Sequence, residues 1–243
     1  MLATTKGIVL RTVKYGETSL VITMYTEGFG LQSYLVNGAR TEKRSSMKAN
    51  LFQLGNLLQL MVYHQPSKNL QRIKDAQLCI HSKVFVTDIV KSAIVMYMVE
   101  LAVKTISEPE VNEELFAFLE ESLQYIEGNT TSDLADFPIR FTLALTKHLG
   151  FGIQNAYTME TPYFDLQNGL FCSKQDLQST HFVENEIAEF VSIYASELAT
   201  ETKEITREKR KVVLEICIQY LKWHIPSMPT LKSPGVLYEL FSS

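Results

Sequence analysis

The residue types in this sequence that could do chemistry are mainly basic side chains, which fall in two short clusters. The first lies in the stretch VNGARTEKRSSMKA, where Glu42 is the only acidic residue. Lys and Arg gathered on one surface neutralise phosphates and release counterions, so binding is independent of base sequence and sensitive to salt. The stretch therefore predicts contact with a nucleic acid. Its basic members are Arg40, Lys43, Arg44 and Lys48.

Other basic and aromatic residues in the first third of the chain extend this cluster. Arg11 and Lys14 lie in the first predicted strand, Lys6 comes directly before it, and Tyr34 lies in the third. A cationic groove with aromatic rings that stack on bases is how small barrels hold single strands. We therefore predict that these four residues bind DNA together with the basic stretch. Further aromatic residues nearby are Tyr15, Phe29 and Phe52.

The second basic cluster, TREKRKVV, begins a predicted helix. Cations in the first turn of a helix oppose its dipole, at a cost of about 0.3–1 kcal/mol each when they are exposed. Local stability does not explain this placement, whereas an anionic partner or acidic residues of the same domain would. The intramolecular explanation is favoured. The basic residues are Arg207, Lys209, Arg210 and Lys211, and the acidic candidates are Glu197, Glu201 and Glu204.

Signatures of catalysis and of metal binding are absent from the sequence. The histidines are scattered without an HExxH spacing, and neither a GxSxG elbow nor a GxxxxGK[ST] phosphate loop occurs. Cys79, Cys172 and Cys217 are far apart and form no CxxC pair, so thiolates alone cannot build a zinc site. Such an odd, spaced set also argues for a reducing compartment. The sequence favours a protein that is not an enzyme and has no cofactor.

Charge and strand pattern set the first 80 residues apart. Residues 1–80 hold ten Lys/Arg and four Asp/Glu, a net charge of +6, whereas residues 81–243 carry -10, which suggests two domains with different partners. Five short strands, with one long connection between the third and fourth, predict an OB-fold barrel or, alternatively, an SH3-like barrel. The strands are Gly7–Lys14, Thr18–Thr26, Leu31–Asn37, Leu57–Tyr63 and Asn69–Ile80.

From about residue 84 the hydrophobic period becomes helical, which predicts an α-helical domain over residues 81–243 with an irregular insert at about 151–180. The predicted fold class is thus α+β, a five-stranded barrel followed by helices. The apolar stretch Val84–Ile106 contains four charged residues, which a bilayer span would not tolerate cheaply. The N-terminus is not a signal peptide. We therefore expect a cytoplasmic protein that makes no membrane contact.

Three stretches of the sequence follow the pattern of one protein family. The start, GIVLRTVKYGETSLVITMYTEGFGLQSYLVNGAR, has LR, then YGE, a Gly turn, and GAR before a Lys/Arg/Ser-rich stretch. The second, PIRFTLALTKHLGFG, has Arg140 followed directly by Phe141 and ends in LGFG, and the third is LKSPGVLYELF. Together they resemble the opening, the R-x-F…LL…LG[FY] helix and the ending of the RecO family of recombination mediators, so the resemblance covers nearly the whole chain.

The resemblance implies an OB-fold joined to a helical domain, with a role in recombinational DNA repair. Such proteins bind single- and double-stranded DNA, anneal complementary strands, engage single-stranded-DNA-binding protein (SSB) and, with RecR, help to load RecA. It implies a bacterial, nucleoid-associated protein whose DNA contact includes Arg40, Lys43 and Arg44. It also makes Arg140 and Lys147 our candidates for binding the acidic, apolar C-terminal tail of SSB.

One departure from the family concerns a metal. Many members carry a four-Cys zinc site in the insert after the LGF motif, whereas here the insert keeps only Cys172. A lone thiol cannot hold structural zinc, so we predict no metal and expect aromatic residues to pack the insert instead. These are Tyr157, Tyr163, Phe164 and Phe171.

Two other functions stay open. A protein-interaction adaptor would bind a partner peptide and would have no direct DNA affinity. A small-molecule enzyme would use a cleft between barrel and helices, with convergent polar groups in a deep pocket. The leading hypothesis is a DNA-binding mediator, which rests on the basic barrel and on the resemblance.

Overall fold

Two units, Met1–Asn129 and Thr130–Ser243, make up the structure, a computed structural model that describes residues 1–39, 49–79, 87–106, 110–196 and 204–242. Buried apolar side chains form a core in each unit. The first unit contains the barrel strands and also the next two helices of the described chain. The sequence-based domain boundary at residue 80 falls before those helices and stays a prediction.

Five strands of the first unit close into a barrel. They are β1 Leu2–Tyr15, β2 Ser19–Thr26, β3 Gly30–Val36, β4 Leu57–Tyr63 and β5 Leu70–Leu78. Their order around the barrel is β1-β2-β3-β5-β4. β3 and β5 pair in parallel, and the other neighbours pair antiparallel. This is the Greek-key arrangement of an OB-fold, so the predicted OB-fold is confirmed and the SH3-like alternative is excluded.

A β-bulge in β1 decides which of its side chains face outward. Val9 pairs with Met24, but the next pair along the ladder is Arg11 with Thr23, so Leu10 is the extra residue. Val9 belongs to the barrel core. Strict alternation would send Arg11 to the same inward side, whereas the bulge moves it to the exterior, where it is exposed.

Two helices of the first unit, α1 Ile89–Thr105 and α2 Glu113–Gly128, follow the barrel. α1 packs on β1, and Phe116 of α2 stacks on Tyr25 of β2 with 6.4 Å between ring centroids. Ile8 and Tyr25 point outward from the barrel yet are at most 1% exposed. The side chain before each helix accepts hydrogen bonds from first-turn amides, which fixes where the helix begins. The helices therefore close one side of the barrel exterior.

Helices dominate the second unit. Its elements are α3 Phe137–His148, β6 Tyr163–Asp165, β7 Leu170–Cys172, β8 Phe182–Val183, α4 Asn185–Ala195, α5 Arg207–His224 and α6 Ser233–Ser242. α3 packs against both α4 and α5, and α6 packs against α5. The three short strands form a small sheet of order β7-β6-β8, in which β6 and β7 lie within the predicted irregular insert and β8 follows it. None of the helices in the described ranges is long and apolar enough to cross a membrane.

Candidate functional site

Strand register builds an open face on the barrel from residues of four strands. Arg11 on β1 pairs with Thr23 on β2. Thr23 in turn pairs with Ser33 on β3, and Ser33 pairs with Leu70 on β5. Opposite residues on neighbouring strands point to the same side of a sheet, so these side chains form one outward row. The next outward row contains Val13, Val21, Leu35 and Arg72. We call these two rows together the OB face.

Exposed cations stand at the two edges of the OB face. Arg11 on β1 and Arg72 on β5 are both exposed, and Leu70, beside Arg72 at the β5 edge, is 40% exposed. Arg72 points outward because it alternates with Gln71 and Ile73, which are buried. The sequence analysis identified Arg11 but missed Arg72, although the alternation along β5 indicated that Arg72 points outward. The arrangement can hold a phosphate backbone at both edges of the face.

The other predicted basic residues of β1 lie off this face. Lys14 is exposed near the end of the strand, opposite Leu20. Lys6 forms an ion pair with Glu120 of α2, with 2.8 Å between Nζ and Oε1. The hydrogen bond to that carboxylate outweighs burial and raises the pKa of Lys6. The charge of Lys6 is therefore engaged inside the first unit, and its role in DNA binding stays a prediction, as does that of Lys14.

Tyr34 lies inside the barrel. It is 0% exposed and pairs with Ile22 and Gln71 in an inward-facing row. Along β3 it alternates with Ser33 and Leu35, which point outward. Burial raises the pKa of its phenol to about 12. The predicted base-stacking role of Tyr34 is therefore corrected, because a ring closed off from solvent cannot stack on a base.

The basic segment made of Arg40, Lys43, Arg44 and Lys48 lies outside the described residues. The residues that flank it are described, and Ala49 N donates a hydrogen bond to Ala39 O at 3.0 Å. The chain therefore departs from the barrel and returns to it at one place, between β3 and β4. The DNA-binding role of the segment stays a prediction.

A groove of about 490 Å³ adjoins the OB face where β2 and β3 meet the turn between β4 and β5. It shares Thr23 and Ser33 with that face, and Lys68 lines it from the turn. The rings of Phe29 and His64 stack in its wall with 4.0 Å between centroids. Burial, and then the N-terminal ammonium, lowers the pKa of His64, so its ring is neutral at neutral pH. Lys68, which the sequence analysis missed, is the lysine that brings positive charge to the lining of this groove.

In the second unit, the two residues predicted to bind the SSB tail line one groove of about 440 Å³. Arg140 and Lys147 lie two helical turns apart on α3, which puts them on the same helix face. Leu143, Ala144 and Ile153 add apolar surface to the groove. Cations around an apolar floor match a peptide that is both acidic and apolar.

A chain of contacts holds Arg140 in this groove. Its Cζ lies 4.9 Å from the centroid of the Tyr194 ring. Tyr194 OH donates to Asp136 Oδ2 at 2.8 Å, and Arg210 Nε donates to Asp136 Oδ1 at 2.5 Å. Asp136 stands at the N-cap position of α3 but makes no capping bond with its side chain. Burial, and then the charge of Asp136, raises the pKa of Tyr194, which keeps the hydroxyl protonated and donating.

Part of the basic cluster at the start of α5 is engaged with acids of its own unit. Lys209 Nζ lies 2.6 Å from Glu186 Oε2 of α4. Arg210 is the guanidinium that binds Asp136. The intramolecular explanation accounts for these two cations, through partners that the sequence analysis did not single out. Each pair joins residues far apart in the chain, so local spacing carried no signal of it.

The insert of the second unit does not fit a zinc site. Across the described ranges, no three His, Cys, Asp or Glu side chains gather where they could hold a metal ion. Instead, Asn155 Nδ2 donates to Phe171 O at 2.8 Å, and Phe171 N donates to Asn155 Oδ1 at 2.6 Å. Phe171 also packs on Tyr157 and Phe164, and Tyr163 packs on Phe182. The predicted aromatic packing of the insert is confirmed.

Replacing Asn155 by Ala is expected to lower the free energy of unfolding by about 1–2 kcal/mol, because two hydrogen bonds of about 1 kcal/mol each are lost. Both bonds go to the backbone of Phe171, which is 2% exposed. Urea unfolding with and without EDTA measures the effect, and Gln154→Ala at the exposed neighbouring position is the matched control. Equal effects of the two substitutions, or a lower urea midpoint of the unaltered protein in EDTA, would contradict this account.

Comparison with known proteins gives one consistent result. The family model described as Recombination protein O N terminal matches residues 1–80, and the one described as Recombination protein O C terminal matches residues 86–234. The chain is 32% identical over 239 residues to the DNA repair protein RecO of Flavobacterium psychrophilum, which covers 98% of both chains. It is also 32% identical over 245 residues to the DNA repair protein RecO of Phocaeicola vulgatus, which covers 100% of both chains.

Proposed function

Because this chain belongs to the RecO family, we propose that it is a DNA-binding recombination mediator that works in DNA repair without catalytic turnover. It binds single- and double-stranded DNA through the barrel and anneals complementary strands. It engages SSB through the second unit. Its cooperation with RecR in loading RecA, and its place at the bacterial nucleoid, rest on the family alone.

The observation that carries the proposal is the continuity of the OB face with the groove beside it. Arg11 and Arg72 stand at the edges of the face, and Lys68 lies in the groove. Thr23 and Ser33 belong to both surfaces. Three cations along one path can neutralise successive phosphates of a single strand.

Annealing follows from the kind of contact that this surface makes. Lys and Arg bind phosphates and make no contact with the base edges. The OB face adds short side chains at Thr23, Ser33 and Val21, whose hydroxyls can bond any base and therefore do not select a base sequence. A strand held by its backbone keeps its base edges free to pair with a second strand.

The groove of Arg140 and Lys147 supports the SSB interaction. A planar guanidinium can bind a carboxylate through two parallel hydrogen bonds. The apolar residues Leu143 and Ile153 in the same groove can accept the apolar side chains of the tail. Contact with the tail would bring the mediator to DNA that SSB already covers.

Salt titration of oligonucleotide binding tests the proposal. Three phosphate contacts on a single strand give a slope of about -2 in a plot of log affinity against log salt concentration. Raising salt from about 50 to about 200 mM is therefore expected to weaken binding by about 20-fold or more. Fluorescence anisotropy of a labelled, unstructured oligonucleotide measures this. An affinity for the oligonucleotide that does not fall as salt concentration rises would contradict the proposal.

The adaptor function is the second candidate, and the groove in the second unit favours it. An adaptor binds a peptide with an acidic, apolar C-terminus but shows no affinity for the oligonucleotide. Peptide binding with no detectable DNA binding would therefore select the adaptor and exclude the mediator.

A further inference from the structure

An exposed tyrosine extends the OB face beyond its β5 edge. The second outward row of the face ends at Arg72, which pairs with Tyr63 of β4, and Tyr63 pairs in turn with Leu2 of β1. Val62, the residue before Tyr63, belongs to the barrel core, so Tyr63 points outward. Tyr63 is 47% exposed, and Leu2 is 49% exposed. The row therefore continues past Arg72 with an aromatic ring and an aliphatic side chain.

The other Tyr and Phe residues of the first 79 are less suited to contact with a base. Three of them are at most 1% exposed, namely Tyr25, Tyr34 and Phe52. Phe29 is half-buried, and His64 covers one face of its ring. Tyr15 is 59% exposed at the end of β1, but its partner in the ladder is Ser19 and not a cation. Tyr63 thus combines an exposed ring with a neighbouring guanidinium.

Backbone pairing holds Tyr63 in place. Ladder pairs join this residue to β1 on one side and to β5 on the other. Directly after it, Met1 N donates to His64 O at 2.7 Å, and His64 N donates to Met1 O at 2.9 Å. A ligand that stacks on the ring therefore does not have to order the chain that carries it, which favours binding.

We propose that Tyr63 stacks on a base of single-stranded DNA, and that it adds affinity for single strands that double-stranded DNA does not receive. This inference rests on the proposed DNA binding by the barrel. Arg72 binds a phosphate, and a base attached beside that phosphate lies on the Tyr63 ring. Neighbouring strands of a sheet are about 4.8 Å apart, so the guanidinium and the ring lie within the reach of one nucleotide.

The two side chains match the two parts of a nucleotide. A guanidinium neutralises the phosphate, and an aromatic ring stacks on any base, because every base has a π face. In a duplex each base is stacked between its neighbours and must be unstacked before a side chain can cover its face. Arg11 and Arg72 can therefore serve single and double strands alike, whereas Tyr63 serves only the single strand. A base that is stacked by its face keeps its pairing edge free, which agrees with annealing.

Replacing Tyr63 by Leu in the full chain tests this inference. Fluorescence anisotropy with a labelled thymidine oligonucleotide, and with a duplex of the same length, measures both affinities. Tyr63→Leu is expected to weaken binding of the single strand by about fivefold or more, the effect of losing one stacked base. Duplex affinity should stay nearly unchanged. The salt slope should also stay unchanged, because the substitution removes no charge.

Three further variants locate the stacked ring. Tyr63→Phe keeps the ring and should retain nearly the whole affinity for the single strand. Tyr125→Leu is the matched control, since Tyr125 is 48% exposed but lies on α2 and not on the barrel strands. Tyr15→Leu removes the other exposed ring of the barrel strands. Both Tyr125→Leu and Tyr15→Leu should bind the single strand nearly as the unaltered protein does.

A strand without bases gives a measurement that does not depend on a variant. The unaltered protein is expected to bind an oligonucleotide of abasic sites about fivefold or more weakly than the thymidine strand of the same length. In Tyr63→Leu the difference between the two strands should shrink, because ring and base belong to the same interaction and their losses are not additive.

Several outcomes overturn the inference. Unchanged affinity for the single strand in Tyr63→Leu does so, as does an equal loss for the single strand and the duplex. Loss in Tyr15→Leu but not in Tyr63→Leu also overturns it, because the stacked ring is then Tyr15. Equal affinity of the unaltered protein for the strands with and without bases overturns it even if Tyr63→Leu fails to fold. Salt-sensitive binding by the unaltered protein would still support the proposed function in each case, whereas no binding of either strand would overturn both.

Discussion

Replacing Arg11 and Arg72 together by Glu is expected to weaken the binding of an unstructured single-stranded oligonucleotide by at least about 25-fold at about 0.1 M salt. Each phosphate contact to a single strand contributes about 0.7 to the salt slope, which corresponds to about a fivefold affinity change at this salt concentration. Both residues are exposed on the OB face. The salt slope should therefore also fall in magnitude by about 1.4.

Fluorescence anisotropy over a range of salt concentrations measures both quantities. The matched control is Lys174→Glu with Lys222→Glu, which makes the same net charge change at two exposed positions of the second unit. It should retain nearly the whole affinity and slope. Equal losses in the two double variants would show that net charge, and not the OB face, governs binding.

Lys6 offers a further check on the same surface. Its ammonium is paired with Glu120, and its row on the barrel exterior runs through Gln59 and Gln77 instead of the OB face. If the OB face is the DNA path, Lys6→Met should change the salt slope little. A loss of slope as large as that of Arg11→Glu would move the DNA path toward α2.

Replacing Arg140 by Ala is expected to weaken binding of an acidic, apolar C-terminal peptide of SSB by about 10- to 100-fold, because hydrogen bonds to charged groups contribute about 1.5–3 kcal/mol. Arg140→Lys should recover only part of the loss, since an ammonium lacks the planar fork that binds a carboxylate twice. Tyr194→Phe should have a smaller effect, because it keeps the ring under Arg140 and removes only the bond to Asp136.

Anisotropy of the labelled peptide and of the oligonucleotide, measured on the same variants, separates the two surfaces. Arg140→Ala should leave oligonucleotide binding intact, and Lys222→Ala, an exposed cation outside the groove, should leave peptide binding intact. Full peptide affinity in Arg140→Ala would remove this groove from the SSB interaction. It would leave the DNA-binding proposal untouched.

The architecture of this protein could be predicted from the sequence because it follows from local patterns. A period of two with turn residues defined the five strands, and the long connection between the third and fourth indicated the OB-fold. A helical period defined the second part of the chain. The absence of CxxC pairs predicted that the insert holds no thiolate zinc site, since ligand spacing is itself a property of the sequence.

Only the tertiary structure decided which predicted residues share a surface. The bulge at Leu10 turns Arg11 outward, and the alternation of side chains along β3 points Tyr34 into the barrel, where it is buried. Lys6 meets Glu120 across 114 positions of the chain, and Arg210 meets Asp136 across 74. Strand and helix patterns depend on neighbouring residues in the sequence. Which side chains share a surface depends instead on strand register and on packing between distant segments. Residue type and spacing therefore sufficed for the fold, and the shared surfaces required the folded chain.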